Sequence, residues 1–283
     1  MKKILIIGAN GFLGRNLLQV YNTNSEYKKS FSIITSDLTK TNISPKFPFF
    51  QLDITDPGKV DEIIEKILPD IIILTAAMTD VDQCEEKKDL ARRINFYGPK
   101  NIVEACKKFN CKLVFLSTDF VFDGEKTDSL YNEQDIPNPQ SYYGLTKFHS
   151  ELAIIYSEID YLICRTAVLY GWNETKLNFI TWILNNLKNG KKLNIVTNQI
   201  NSPTYVKNLA EIRYEMALKC AEIFGYDKSL ISPIPNLKQK AKRPKNAGLD
   251  VKKLKNSLND TVKIYTIENG LKEMRETRIN KNI

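Results

Sequence analysis

Histidine is nearly absent from this 283-residue chain, since His149 is its single example. One histidine cannot build a multi-histidine metal site, and we interpret His149 as a surface residue. The five cysteines are odd in number and scattered, without a Cys-x-x-Cys pair, which argues against a disulfide framework or a zinc module. No apolar run approaches the ~18 residues that a membrane span needs. We therefore expect no metal site and no membrane partner.

The composition and charge set further limits. With 42% hydrophobic and 26% charged residues, the chain resembles ordinary soluble globular proteins. The apolar run Ile4–Ile7 is too short for a secretory leader, so we expect a reducing, cytoplasmic location. Residues 1–150 carry a net charge of −1 and residues 151–283 a net charge of +9. The basic half suits an anionic ligand such as a nucleotide diphosphate or a nucleic acid, and equally a solvated lysine-rich surface.

Short apolar runs alternate with helical patterns along the first 120 residues. Helices are expected over Phe12–Tyr21, Pro57–Leu68 and Leu90–Phe109 because apolar residues recur there near helical spacing. The predicted strands are Ile4–Ile7, Phe31–Thr35, Phe49–Leu52, Ile71–Leu74 and Leu113–Leu116. Apolar strands separated by helices are typical of a parallel sheet covered on both faces, so we predict an α/β, Rossmann-like doubly wound fold.

A glycine-rich turn follows the first predicted strand. Gly8–Gly14 reads Gly-x-x-Gly-x-x-Gly and opens a helix, a setting in which backbone N–H groups and the helix dipole attract a pyrophosphate. Asp37 ends the second strand, where an acid typically accepts a hydrogen bond from the adenosine ribose. Its charge favours NAD over NADP, although Lys40 could soften that preference. We predict an NAD(P)-binding Rossmann domain over 1–160, and over 161–283 a mixed region with one Rossmann strand and a smaller substrate domain.

Two further groups carry chemistry. Tyr143 is the only tyrosine followed four residues later by a lysine, Lys147. On a helix these side chains share a face, and an ammonium group there would lower the tyrosine pKa, which makes Tyr143 a candidate proton donor to a carbonyl. Ser117–Asp119 follows the last predicted strand, at the sheet edge where ligands of such folds bind. We expect Thr118 and Asp119 to face the substrate.

Together these segments resemble an extended short-chain dehydrogenase/reductase and, more narrowly, the dTDP-4-dehydrorhamnose reductases. The resemblance rests on nine segments: GANGFLG (8–14), LDITD (52–56), AAMTDVDQCE (76–85), RINFYG (93–98), STDFVFDG (117–124), PNPQSYYGLTK (137–147), CRTAVLYG (164–171), TNQINSPTY (197–205) and RPKNAGLD (243–250). It implies that NADH or NADPH reduces the C4 keto group of a deoxysugar nucleotide, most simply dTDP-4-dehydrorhamnose to dTDP-L-rhamnose. It also allows a homodimer, for which no motif marks an interface.

The resemblance assigns roles residue by residue. Thr118 and Tyr143 would bind the C4 carbonyl oxygen, with Tyr143 supplying the proton, and Lys147 would hold the nicotinamide ribose. Thr118-Asp119-Phe120 lacks the glutamate of the related dehydratases, which favours simple reduction. The remaining assignments concern the cofactor: Gly8, Asn10, Gly11, Phe12 and Leu13 along the pyrophosphate, Asp53 and Ile54 beside the adenine, Ala76 and Ala77 along the cleft, and Asn95 positioning its helix.

Two segments depart from the family pattern. Val168 stands where the family often places a tryptophan against the sugar. After SPTY the family runs about thirty residues further before a helix like RYEMALK (our count from the family pattern), whereas here Leu209-Ala210-Glu211 leads directly into it. We therefore expect one fused helix over 209–224 and a shortened substrate domain.

Two other functions stay open at this point. One is a non-catalytic NAD(P)-binding regulatory subunit, similar to the methionine adenosyltransferase beta subunit, which the shortening and Val168 favour. The other is nucleic-acid binding through the basic half. The latter is poorly supported because the run between Lys238 and Lys255 has few aromatic residues for base stacking, so we expect no nucleic-acid partner.

Overall fold

The computed structural model describes residues 1–41, 46–172, 177–205, 211–237, 239–258 and 265–281. The chain forms two compact units: the first contains Met1–Val121 and Ser141–Arg165, and the second contains Phe122–Gln140 and Thr166–Ile283. Compared with the expected ranges 1–160 and 161–283, the polar segment Phe122–Gln140 joins the second unit.

The first unit is built on a six-stranded parallel sheet with the order β3-β2-β1-β4-β5-β6. Its strands are β1 (Lys2–Ile7), β2 (Phe31–Asp37), β3 (Phe49–Gln51), β4 (Ile71–Leu74), β5 (Lys112–Thr118) and β6 (Tyr161–Tyr170), the last of which continues into the second unit. The five strands predicted in the first 120 residues are all present. The order reverses beside β1, where doubly wound folds bind nucleotides.

Helices cover both faces of this sheet. They are α1 (Phe12–Thr23), α2 (Ser25–Ser30), α3 (Pro57–Ile67), α4 (Val81–Glu86), α5 (Lys88–Arg92), α6 (Gly98–Phe109) and α7 (Tyr142–Ile155). One apolar cluster joins β1 residues Leu5 and Ile7 to side chains of α3 and α6, and a second joins Ile4 and Ile6 to Leu18 of α1. Burial of both faces explains why the strands are apolar throughout, and the predicted doubly wound fold is confirmed.

The helix expected over Leu90–Phe109 is continuous but irregular. A π-helical turn, Arg93–Tyr97, joins α5 to α6. Such turns are rare and frequently lie at functional sites. This one carries Asn95, whose side chain is fully buried.

The second unit has shorter strands and its own core. Its helices are α8 (Phe179–Lys188), α9 (Arg213–Phe224), α10 (Lys252–Leu258) and α11 (Ile267–Lys281). Its strands after β6 are β7 (Leu193–Val196), β8 (Ile200–Asn201), β9 (Pro203–Tyr205), β10 (Glu211–Ile212), β11 (Ile231–Ile234) and β12 (Asn246–Ala247). Apolar side chains of α8, α9 and α11 form one buried cluster, exemplified by Ile183, Met216 and Leu271.

The fused helix expected over 209–224 is wrong. Helix α9 begins at Arg213, and the two residues before it form β10, which pairs antiparallel with β8 through Glu211↔Asn201. The backbone N–H of Arg213 also donates to the carbonyl of Gln199. Pairing with a strand ten residues earlier therefore overrides the local helical pattern; Leu209 and Ala210 lie outside the described residues.

Candidate active site

The turn between β1 and α1 has a backbone that admits only glycine at two positions. Gly8 has φ +90°, and a Cβ atom there would lie 2.6 Å from the backbone nitrogen of Ala76. A Cβ atom on Gly14 would lie 2.4 Å from the carbonyl oxygen of Gly8. The cap residue Gly11 has no side chain to occupy the start of α1, and the first turn of α1 contains no acidic residue. These features leave the helix N-terminus suited to an anion.

Asp37 lies beside this turn, and both of its carboxylate oxygens accept backbone hydrogen bonds. One carboxylate oxygen accepts from the backbone N–H of Asn10 at 2.9 Å, and the other accepts from the backbone N–H of Leu38 at 2.8 Å. The Asn10 side chain donates to the carbonyl of Thr39 and accepts from the Thr41 hydroxyl, both at 2.6 Å. Asp37 and Asn10 therefore fix the shape of the Gly8–Gly14 turn.

The other predicted cofactor residues divide into two groups. Ala76 follows β4 and donates its N–H to the carbonyl of Ile7, which places it directly against Gly8. Ala77 is next in the chain, and both alanines are half-buried. Ile54 instead belongs to the buried core, where its side chain packs on Gly98. Asp53 is exposed and accepts the N–H of Thr55 at 2.8 Å.

Asn95 connects the chain after β4 to helix α7. Its amide oxygen accepts from the backbone N–H of Met78 at 2.8 Å, and its amide nitrogen donates to the Met78 carbonyl at 2.9 Å. The same nitrogen lies 3.3 Å from the Thr146 hydroxyl, while the Ser150 hydroxyl donates to the Asn95 carbonyl. Asn95 therefore ties the chain after β4 to Thr146 and Ser150 of α7, close to Lys147 in the sequence.

Thr118, Asp119 and Tyr143 converge at the end of β5. Thr118 and Asp119 are buried, and the Thr118 hydroxyl donates to Asp119 at 3.1 Å and accepts the N–H of Phe120 at 3.2 Å. Half-buried Tyr143 lies beside them, because both Thr118 and Asp119 influence its pKa and the Phe120 ring meets the Tyr143 ring edge-on at 5.9 Å. A hydroxyl, a phenol and a carboxylate thus share one small site.

The expected lowering of the Tyr143 pKa is wrong. Burial raises the pKa of the phenol well above 10, and the negative charges of Asp119 and, if ionised, Cys84 act in the same direction. The hydrogen bond with Thr118 opposes this rise without overcoming it. Sequence spacing alone identified the Lys147 neighbour, but it contained no information about burial or about Asp119.

Lys147 is itself almost inaccessible, with 3% of its surface exposed. Its ammonium nitrogen lies 4.0 Å from the centroid of the Phe115 ring. Burial lowers its pKa to about 7, and the negative charge of Glu151 acts against that lowering. Near neutral pH, Lys147 is therefore present in both its charged and its neutral form.

The structure adds site residues that sequence reasoning missed. The Glu85 carboxylate of α4 accepts the backbone N–H of Tyr142, the first residue of α7, at 2.7 Å. Fully buried Glu151 pairs with Arg165 of β6 at 2.7 Å. Glu151 follows Lys147 at the same four-residue spacing that linked Lys147 to Tyr143, so this signal was present in the sequence. Glu85 gave no local signal.

Val168 lies in the second unit and has an unusual backbone. Its φ is +30°, and the pairing of β6 with β9 is irregular between Ala167 and Tyr170. A β-branched residue rarely adopts positive φ, and such strain is concentrated at functional sites. This observation is compatible with the predicted substrate contact at Val168.

Three features occur together: the close approach of Gly8 to Ala76, a helix N-terminus suited to an anion, and Tyr143 and Lys147 on one face of α7. They define a short-chain dehydrogenase/reductase of the Rossmann class. The residues present fit a dinucleotide because the start of α1 has no side-chain cap and no acidic residue in its first turn, so its N–H groups can receive a pyrophosphate. None of the helices within the described ranges is long and apolar enough to cross a membrane.

The chain belongs to the RmlD substrate binding domain family, whose model matches residues 1–219. It is 34% identical over 219 residues to the dTDP-4-dehydrorhamnose reductase of Aggregatibacter actinomycetemcomitans, covering 77% of this chain and 68% of that protein. The crystal structure of Bacillus anthracis dTDP-4-dehydrorhamnose reductase in complex with NADP matches with a TM-score of 0.84 at 29% identity, covering 98% of this chain and 100% of that chain.

A third relative is the beta subunit of methionine adenosyltransferase 2 from Bos taurus. It is 28% identical over 283 residues, covering 89% of this chain and 81% of that protein. Its identity is lower than that of the bacterial reductase, so the regulatory alternative is not favoured. The predicted resemblance to dTDP-4-dehydrorhamnose reductases, oxidoreductases of the extended short-chain class, is confirmed.

Proposed function

We propose that this protein is an NAD(P)H-dependent reductase of the C4 keto group of dTDP-4-dehydrorhamnose, yielding dTDP-L-rhamnose. The observation that carries the proposal is the meeting of Thr118 and Tyr143 at the end of β5, with Lys147 on the same face of α7. Family membership and the reductase relatives support the choice of substrate.

The residues proposed to bind the cofactor lie in the first unit. The nicotinamide cofactor provides the hydride that the protein itself cannot supply. The Gly8–Gly14 turn and the start of α1 would hold its pyrophosphate, with Ala76 and Ala77 along the cleft. Lys147 would hold the nicotinamide ribose. Asp37 favours an unphosphorylated adenosine ribose because its carboxylate repels a second negative charge.

Tyr143 is proposed as the proton donor. Its raised pKa keeps the phenol protonated at neutral pH, which is the form that a reduction requires. As the C4 carbonyl accepts hydride, the phenol proton passes to the developing alkoxide oxygen and leaves a phenolate. The ammonium form of Lys147 then stabilises that phenolate.

Thr118, Asp119 and Val168 are proposed as substrate contacts. Thr118 would bind the C4 oxygen together with Tyr143, and Asp119 orients the Thr118 hydroxyl by accepting its hydrogen bond. Phe120 stands where related dehydratases carry a glutamate, which supports reduction without dehydration. Val168 is proposed as a contact with the sugar.

We also propose that the protein is cytoplasmic, takes a nucleotide-sugar substrate and forms a homodimer. Five unpaired thiols among the described residues fit a reducing compartment. The homodimer rests on family resemblance and is tested by the mass of the protein in solution.

The activity is tested by mixing purified protein with NADH or NADPH and dTDP-4-dehydrorhamnose, generated in place by the upstream enzymes. We expect absorbance at 340 nm to fall with at least one cofactor, and the ratio of the two rates reports the preference set by Asp37. Binding of NADPH or NADH without any turnover would contradict the proposal and favour the alternative of a non-catalytic regulatory subunit.

A further inference from the structure

Helix α7 presents a third ionisable side chain on its reactive face. Tyr143, Lys147 and Glu151 follow one another at intervals of four residues, which places them along one stripe of the helix. Glu151 has no exposed surface. Because an isolated buried carboxylate is costly, a residue of this kind requires compensating partners.

Arg165 is the direct partner of Glu151. The Arg165 Nε–H donates to the two carboxylate oxygens at 3.1 and 3.3 Å, and Nη2 donates at 2.7 Å. The Arg165 side chain is 20% exposed, so most of this ion pair lies away from water. The pair joins α7 to β6 and fixes the position of the Glu151 carboxylate.

Lys147 lies one turn before Glu151 without forming a close ion pair with it. Phe115 of β5 contacts the ammonium group, but an aromatic ring compensates only part of the loss of water. Glu151 is the charged group that opposes the effect of burial on Lys147. The Glu151 field acts through the protein interior, where screening is weak.

The other charges near α7 have different targets. Asp119 and Cys84 influence Tyr143, and Glu85 binds the backbone at the start of the helix. The charged side chains of α5, the π-helical turn and α6 are exposed and screened by water; these are Lys88, Asp89, Arg92, Arg93, Lys100, Glu104, Lys107 and Lys108. Glu151 is therefore the buried carboxylate positioned to decide the charge of Lys147.

We propose that Glu151, fixed by its buried ion pair with Arg165, is a positioning residue that keeps Lys147 in its ammonium form and so sets the alkaline limit of the reductase. This inference rests on the proposed function only for its kinetic consequence. The charge of Lys147 itself can be measured without cofactor or substrate.

The direct test is the titration of Lys147 in the cofactor-free protein. Lysine labelled with carbon-13 at Cε gives one NMR signal per lysine, and Lys147→Met identifies the signal of Lys147. The midpoint is expected near 7 in the wild type, and in Glu151→Gln about one pH unit lower or more, because removing an opposite charge from a buried neighbour shifts a pKa by roughly that amount. Glu151→Asp keeps the charge and should restore much of the wild-type midpoint.

Two further variants separate charge from folding. Arg165→Gln removes the cation that pairs with Glu151 and should move the midpoint upward, opposite to Glu151→Gln. Glu104→Gln removes an exposed carboxylate of α6 and should leave the midpoint unchanged. A folded Glu151→Gln protein with the wild-type midpoint would overturn the proposal, and so would a downward shift in Arg165→Gln if Glu151→Gln does not fold.

The kinetic test follows the same variants over about pH 5.5 to 9.5. The ammonium form is lost as pH rises through the Lys147 pKa, so the alkaline limb of kcat should move to lower pH in Glu151→Gln and return in Glu151→Asp. An equal loss of kcat at every pH would indicate a merely structural role and contradict the inference. If the NMR midpoints shift as expected but no variant or wild type turns over substrate, the proposed function fails while the charge relation stands.

Discussion

The two units of the molecule build their structures in different ways. The first unit has six parallel strands of three to ten residues in one sheet, with apolar clusters on both faces and Thr118 at the end of β5. The second unit pairs strands of two to four residues in small sheets and obtains its core mainly from α8, α9 and α11. Thr118 and Asp119 thus lie at the end of a strand of the first unit's sheet, whereas the second unit depends mainly on helix packing.

The largest expected effect comes from a substitution that removes the proposed proton donor of the first unit and keeps its fold. Tyr143→Phe should lower kcat by about 10²–10⁴-fold, because positioned proton transfer contributes that much. Absorbance at 340 nm measures the rate, and cofactor fluorescence should show unchanged binding. Tyr142→Phe is the matched control, since its ring contacts Lys88 and it should stay within about threefold of wild type. A Tyr143→Phe rate within about tenfold of wild type would remove Tyr143 from the proton-donor role.

Lys147→Met should abolish activity and, at neutral pH, raise the free energy of unfolding. The pKa of Lys147 is about 7 in the folded chain and 10.5 in its reference state, so between these pH values the unfolded chain binds the extra proton and stability rises with pH. Methionine avoids this cost, and at pH 7 it should raise the free energy of unfolding by a few kcal/mol at most, since one pKa unit corresponds to about 1.36 kcal/mol. The gain should disappear above about pH 10.5.

Urea denaturation at neutral and alkaline pH measures this difference, and the 340 nm assay should show that the more stable variant is inactive. Lys188→Met in the second unit is the control: Lys188 is exposed, and its replacement should change stability by less than about 0.5 kcal/mol. A loss of stability in Lys147→Met at pH 7 would show that burial of the charge is not the dominant cost at this position.

Glycine substitutions compare the two units directly. Gly8→Ala places a methyl group 2.6 Å from the Ala76 nitrogen at φ +90°, so it should cost about 1–3 kcal/mol and weaken cofactor binding about tenfold. Gly190→Ala in the second unit has a similarly positive φ of +65° but open space around the new methyl group, so only the backbone strain of about 1 kcal/mol remains. Thermal denaturation and NADPH fluorescence titration measure both. If Gly8→Ala and Gly190→Ala weakened cofactor binding equally, the close approach of Gly8 to Ala76 would have no role in cofactor binding.

The sequence predicts the first unit well because its signals are local. Apolar runs identified the strands, and Gly8–Gly14, Asp37 and the Tyr143–Lys147 spacing each lie within a short stretch of chain. The fused helix over 209–224 failed because β10 exists only through pairing with β8. The pKa of Tyr143 was misjudged because burial and Asp119 come from the folded structure. Arg165 and Glu85 likewise become site neighbours only when distant segments meet.

The smallest expected effect concerns two helix starts, one in each unit. Glu85 accepts the N–H of Tyr142 at the start of α7, and Asn178 caps α8 by accepting the N–H of Thr181. Asn178→Ala removes the cap of α8 and should cost about 1 kcal/mol of stability. Helix α7 keeps its own cap residue, Ser141, so Glu85→Ala removes one hydrogen bond and should cost a similar amount, about 1 kcal/mol. Only α7 carries the reactive groups, so Glu85→Ala should also lower kcat several-fold, whereas Asn178→Ala should not.

Glu85→Gln keeps an acceptor oxygen and should recover most of the kcat that Glu85→Ala loses. Denaturation in urea gives the stability of all three variants, and the 340 nm assay gives kcat. If Asn178→Ala and Glu85→Ala lowered kcat equally at matched stability, α7 would have no special dependence on its contact with Glu85. The contrast between a unit that positions chemistry and a unit that does not would then fail at this point of the structure.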